Sequence, residues 1–321
     1  MTAPISREQI MEENNDNNIS KGFFANYHQI QDEKARPLTN IYWSQVPRSN
    51  TVYGTVYLVH GYGGSPVEPC MKVPMQKALA HGFDVVALEG VDLSATAGQV
   101  KQINAMTLDR QKQALDAGLH FCRTLSTINH DYNIGWIHSI SCRALSDLMI
   151  DSPEIRNYFN EIVLNNPYFL PPPKVQLLRE KFMRRDPSGS SWEMLTHKVS
   201  TQMREIERHT FKIPTCLYNL CIPLPGPWTK RADCEELARR VSYFIARNPR
   251  MALYLHFILG SADDMADYNQ NVRFFHGLTI PNKQLVSIQG ANHAFENALG
   301  QYSDYSQVIL DTIRDRRKHK K

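Results

Sequence analysis

The sequence predicts an α/β protein with a mainly parallel central sheet, flanked by helices and interrupted by a helical cap insertion. Three observations carry that prediction. Short β-like runs alternate with helix-length stretches along most of the chain, the rhythm of strand–helix–strand units. The central runs are almost unbroken in apolar residues, as strands covered on both faces must be. Turns rich in Gly, Ser, Asp and His follow the ends of those runs, where an open parallel sheet places its binding crevice.

The β-like runs fall at 41–45, 55–59, 84–88, 134–138, 162–164, 252–259 and 285–288. Helix-like stretches lie at 68–81, 106–125, 142–150, 266–276 and 302–314. Residues 21–167 and 250–315 are therefore read as the core. Residues 168–249 break the rhythm with Pro171-Pro172-Pro173 and a second Pro-rich patch at 222–227, and are read as a cap inserted over the C-terminal edge of the sheet. Within it, 174–185 places Val175, Leu178 and Phe182 on one helical face, with Lys174, Arg179, Lys181, Arg184 and Arg185 elsewhere. A solvated amphipathic helix is the plain reading of that pattern; a lid touching an anionic lipid surface is the sharper one. No internal repeat is found.

Bulk properties set limits. With 321 residues and 42% hydrophobic content the chain fits one α/β domain with an insertion, and disorder throughout is excluded. No apolar run approaches the roughly 18 residues a membrane span needs. Residues 1–20 are polar and Asn/Glu-rich, a flexible lead-in with no apolar stretch of the secretory kind, so a cytoplasmic location is expected. The cysteines at 70, 122, 142, 216, 221 and 234 show no spacing typical of zinc or of a disulfide framework, and no metal or cofactor is expected. Most read as small buried hydrophobes in a reducing compartment. Of the net charge of +4, residues 314–321 carry six basic groups against one acid, net +5, which leaves −1 for the rest. The body is thus no nucleic-acid binder. The basic tail, including 316–321, is expected to be solvated and frayed, the alternative being contact with a membrane surface or nucleic acid.

Four motifs bear chemistry. The run 55–59 leads into His60-Gly61-Tyr62-Gly63-Gly64, a glycine-rich turn that exposes backbone N–H groups; the Tyr62 N–H is placed to hold an oxyanion. The run 134–138 ends at His138-Ser139-Ile140-Ser141-Cys142-Arg143 before a helix, the strand–Ser–helix turn of a nucleophile elbow, with Ile140 N–H as second oxyanion donor. Residues two before and two after a nucleophile crowd each other. With Ser139 in that role they are Ile137 and Ser141; with Ser141 they are Ser139 and Arg143, the worse fit, so Ser139 is preferred. A decayed elbow with neither serine active is the bland alternative. The run 252–259 exits into Gly260-Ser261-Ala262-Asp263-Asp264, which places Asp263 as triad acid with Asp264 as understudy. No carboxylate follows the run 162–164, where Asn165-Asn166-Pro167 stands. The last run leads to Gly290-Ala291-Asn292-His293, a histidine placed as general base. Each signal is modest, but the four occur in order, each after a strand.

On these motifs, over roughly 38–315, the chain resembles the α/β-hydrolase superfamily, in particular its lysophospholipase and monoacylglycerol-lipase-like esterases. The resemblance implies an eight-stranded, mainly parallel sheet, a cap after the sixth strand and no cofactor. It also implies nucleophile, acid and base roles for Ser139, Asp263 and His293, and oxyanion donors at Tyr62 and Ile140. The departure is Ile137 where such elbows carry glycine. The run from Ser139 to Arg143 also resembles the Ser-x-Ser-x-Arg elbow of luminescence acyl-carrier-protein thioesterases. Ester hydrolysis is thus expected, with thioester hydrolysis or acyl transfer as alternatives and a non-catalytic binding protein as a third. In the cap, Phe169, Leu170, Phe182 and Trp192 either line an acyl pocket or pack against the core.

Overall fold

The computed structural model describes residues 24–61, 64, 66–90, 108–169, 181, 184–185, 253–263, 265–297, 299 and 302–318. The strands are β1 (Asn26–Gln31), β2 (Pro37–Ser44), β3 (Gly54–Val59), β4 (Phe83–Gly90), β5 (Asn133–His138), β6 (Glu161–Asn165), β7 (Tyr254–Gly260) and β8 (Lys283–Ile288). The helices are α1 (Pro69–Ala80), α2 (Leu108–Arg123), α3 (Ile140–Asp151), the single turn α4 (Pro153–Arg156), α5 (Tyr268–Gly277) and α6 (Ser306–Lys318). All eight strands form one sheet in the order β1-β2-β4-β3-β5-β6-β7-β8. β3 to β8 run parallel; β2 pairs antiparallel with β1 and β4.

The unbroken apolar runs have a direct cause. Side chains of a strand alternate between faces, and here both faces are covered. In β5, Ile134 and Trp136 join the core under α1 and α6, which contribute Met71, Met75, Ile309, Leu310 and Ile313. Ile137 joins the opposite core, under α2, α3 and α5, with Leu115, Leu119, Leu145, Phe274 and Phe275. Tyr57 and Val59 of β3 face that second core, while Val56 and Leu58 face the first. Seven strands match the sequence expectation. The eighth, β1, has no apolar run. It is a half-exposed edge strand, held by its ladder to β2 and by Tyr27 Oη–H and Gln29 Nε2–H donating to Asn40 Oδ1.

Residues 170–180 and 186–252 of the expected cap lie outside the described residues, as do the lead-in 1–20 and Leu170, Phe182 and Trp192. Phe169 belongs to the core: its ring stacks on Phe274 at 4.2 Å, and it is buried. None of the described helices is long and apolar enough to cross a membrane. Cys70, Cys122 and Cys142 are buried and free of disulfides.

The first residues of the basic tail are not frayed, which corrects the sequence expectation for 314–318. They complete α6 and are engaged within the chain. Arg314 pairs with Asp311 at 2.7 Å, and Arg317 lies over the Tyr132 ring at 4.6 Å. Arg316 lies over the Tyr254 ring at 4.3 Å and reaches the buried Glu161 at 2.5 Å. Glu161 also accepts from Tyr132 Oη–H and His256 Nε2–H, at the N-terminal edge of the sheet. Arginine is favoured here because its planar fork serves a carboxylate and a ring together. Burial pushes the Glu161 carboxyl up, but the hydrogen bonds from His256, Arg316 and Tyr132 outweigh it and hold it below its ordinary value. A depressed carboxyl stabilises the fold above the unfolded pKa of about 4.3, and that stabilisation is lost as pH falls through the folded value. Arg316→Ala is expected to cost the lower end of the roughly 3–5 kcal/mol that loss of one partner of a buried pair costs, since Arg316 is 25% exposed. Urea unfolding measures it at pH 7, and the gap to wild type should narrow below pH about 4.

Candidate active site

Three strand ends converge at the C-terminal edge. Between β5 and α3 the chain reverses through Ser139, whose backbone sits at φ 57° and ψ −129°. A non-glycine residue there carries strain of about 1–3 kcal/mol. The surroundings enforce it: Ser139 N–H donates to Asn165 C=O, while its own carbonyl accepts from Cys142 and Tyr168 N–H. The turn lifts Oγ off the strand end and leaves Ile140 as the first residue of α3, whose N–H has no acceptor within the helix. The positive end of α3 points the same way.

Ser139 Oγ–H donates to His293 Nε2 at 2.8 Å. His293 Nδ1–H donates to Asp263 Oδ2 at 2.8 Å. Asp263 Oδ1 accepts Met265 and Ala266 N–H at 2.8 and 2.9 Å, so the carboxylate is held by both oxygens. The Asp263 side chain is 2% exposed and that of His293 12%, so the relay is shielded yet open at the imidazole. An imidazole so held takes a proton from a hydroxyl, and the carboxylate fixes its tautomer and stabilises its cation. Ser139, Asp263 and His293 are thus brought together. Tyr62 and Asp264 lie outside the described residues.

Ser141 does other work. Its hydroxyl donates to His60 C=O at 2.6 Å and accepts from Gln111 Nε2–H at 3.0 Å, fully buried. It ties the glycine-rich turn after β3 to α3. Ile137, the departure from the usual elbow, joins the core under α3 together with the small Cys142, whose thiol donates to Ile137 C=O at 3.3 Å. Gly61 is demanded by close approach: a Cβ there lies 2.5 Å from Ser139 Cβ. Gly61→Ala should displace one of the two, and a displacement of about 1 Å costs on the order of 100-fold in turnover, read as kcat on an activated ester.

Two residues of this site were not singled out from sequence. Asn166, buried and at φ 39°, follows β6, where the chain carries no carboxylate. Its Oδ1 accepts Gly260 N–H at 2.7 Å; its Nδ2 donates to the carbonyls of Asn292 at 3.1 Å and His293 at 2.9 Å. One amide thereby binds the end of the acid strand to the histidine loop. Asn166→Ala should lower kcat about tenfold to a hundredfold with KM little changed, since His293 loses its seat while Ser139 and its turn stay in place. Parallel steady-state kinetics of variant and wild type check this. His138 is the second. It is buried, and its Nε2–H donates to His293 C=O at 3.1 Å. Burial, followed by the nearby His293, pushes it down to about 3, so it stays neutral. The Asn-Asn-Pro after a strand was the available signal for Asn166; nothing in the local sequence marks His138.

No protein-family model and no curated protein matches the chain. Solved structures do. An esterase from Pyrococcus furiosus superposes with a TM-score of 0.54 at 13% identity, over 91% of this chain and 89% of that one. A soluble variant of monoglyceride lipase from Saccharomyces cerevisiae, in complex with a substrate analogue, gives 0.51 at 13%, over 91% and 94%. Est1E from Butyrivibrio proteoclasticus gives 0.50 at 14%, over 91% and 98%. The chain has the α/β-hydrolase fold. At such identities the likeness speaks for the fold alone. Within the α/β-hydrolase fold, the sheet order and the antiparallel β2 between β1 and β4 agree with the eight-stranded, mainly parallel sheet that the sequence resemblance implied.

Proposed function

We infer that the protein is a serine hydrolase that cleaves a carboxylic ester through an acyl-enzyme. The observation that carries this reading is the unbroken relay Ser139–His293–Asp263, with both links at 2.8 Å. In the proposed reaction Ser139 Oγ attacks the acyl carbonyl as its proton passes to His293 Nε2. The resulting oxyanion is held by the Ile140 N–H at the start of α3 and, by the same reading, by the Tyr62 N–H. His293 then protonates the leaving alcohol as the tetrahedral carbon collapses. Water, deprotonated by His293, attacks the acyl-enzyme and returns Ser139 to its hydroxyl form.

The same machinery serves thioesters, and fold does not select among substrates. The test is labelling of the wild type by a fluorophosphonate, with turnover of p-nitrophenyl esters from short to long acyl chains and of the matching acyl thioesters. Labelling with faster ester turnover supports the reading. Faster thioester turnover moves it to the acyl-thioesterase alternative. A folded protein that neither labels nor turns over any substrate overturns it in favour of a binding protein.

A further inference from the structure

We propose that Glu68, Cys70 and His138 bind one divalent transition-metal ion, zinc by preference, beside Ser139. The side chains come from two elements: Glu68 occupies the N-cap position of α1 without a side-chain capping bond, Cys70 lies in its first turn, and His138 ends β5. One donor atom from each lies within 4.8 Å of the other two, and His138 Nδ1 stands 4.0 Å from Cys70 Sγ. Bonds of about 2.0–2.3 Å to a shared tetrahedral ion set donors about 3.4–3.8 Å apart. Side-chain movements of about 1 Å therefore close the set.

Three features point to an ion rather than to packing alone. His138 Nε2–H donates to a backbone carbonyl, that of His293, which leaves the Nδ1 lone pair facing the thiol. Metal-binding imidazoles are braced in this way through the far nitrogen. The donor set of imidazole, thiolate and carboxylate suits zinc, and its two anionic members balance the ion's charge. Glycines stand where a side chain would crowd the donors: a Cβ on Gly61 would lie 3.2 Å from His138 Nδ1, and one on Gly64 would lie 2.5 Å from the Glu68 carboxylate. On binding, the Cys70 S–H bond breaks, its proton leaves to bulk water and the thiolate sulfur bonds to the ion; no electron is transferred. Three protein ligands leave a fourth position for water. The site is independent of the hydrolase reading, but His138 joins it to the loop that carries His293.

The experiment uses the full chain, stripped with a chelator and titrated with Zn²⁺, then with Co²⁺ as a spectroscopic stand-in. Cys70→Ser and Glu68→Gln are measured in parallel, so that uptake at this site is separated from any adventitious uptake by other cysteine thiols. The expected result is one more equivalent of tightly held Zn²⁺ in the wild type than in Cys70→Ser. A thiolate-to-cobalt charge-transfer band should be lost in that variant, and Glu68→Gln should bind roughly tenfold more weakly or worse. Bound Zn²⁺ should also raise the thermal midpoint of the wild type and not of Cys70→Ser. Equal uptake by the wild type and both variants overturns the proposal, as does a cobalt spectrum without the band. If Cys70→Ser fails to fold, Glu68→Gln decides alone: undiminished affinity there overturns the site.

Discussion

Ser139→Ala should lose fluorophosphonate labelling entirely and drop ester turnover by about 10⁴–10⁶-fold. The hydroxyl is the atom that the whole arrangement addresses: a left-handed backbone lifts it, and His293 Nε2 meets it at 2.8 Å. Alanine keeps the backbone and the fold, so the variant should unfold at a urea concentration close to wild type. Ser141→Ala is the matched control. It removes the buried bonds to His60 and Gln111 and should cost about 1–3 kcal/mol of stability, yet it keeps labelling. If labelling survives in Ser139→Ala and vanishes in Ser141→Ala, the nucleophile has been misplaced.

The second large effect is expected from Asp263→Asn, about 10⁴-fold in kcat. The reason lies in the hydrogen bonds around the carboxylate. Oδ1 accepts two backbone N–H groups, from Met265 and Ala266. An asparagine must therefore put its carbonyl oxygen there and its NH₂ where Oδ2 meets His293 Nδ1. A donor facing Nδ1 forces the ring proton to Nε2, which can then no longer accept from Ser139. The substitution reverses the tautomer while leaving the shape intact. Single-turnover kinetics on an activated ester should show acylation itself slowed; normal acylation with slow deacylation would contradict the role given to Asp263.

The reach of sequence reasoning here follows from periodicity. β3 to β7 were legible because burial on both faces writes a continuous apolar run, which needs no knowledge of neighbours. β1 was not, because Asn26 to Gln31 sits at an edge and is half-exposed throughout, and a half-wet strand leaves no clear pattern. Ser139, Asp263 and His293 were legible because each follows a strand, and parallel strands bring such ends to one edge. Asn166 and His138 act through contacts across loops far apart in sequence, and spacing along one chain does not encode those. The tail was misread for a related reason: a run of basic residues reads as solvated until the buried carboxylate and the rings that meet it are known.

The Glu161 cluster and the Ser139 relay occupy opposite ends of the same strands. β6 runs from Glu161 to Asn165, about 13 Å at the rise of an extended chain. Sites more than about 7–10 Å apart with no shared partner respond to substitution almost independently. The fold therefore separates its durability from its chemistry along the strand axis. Variants selected for heat resistance should collect at the Glu161–Arg316 end and leave turnover untouched. Variants selected for a new acyl group should collect at the other end and draw on the stability reserve that the first end maintains.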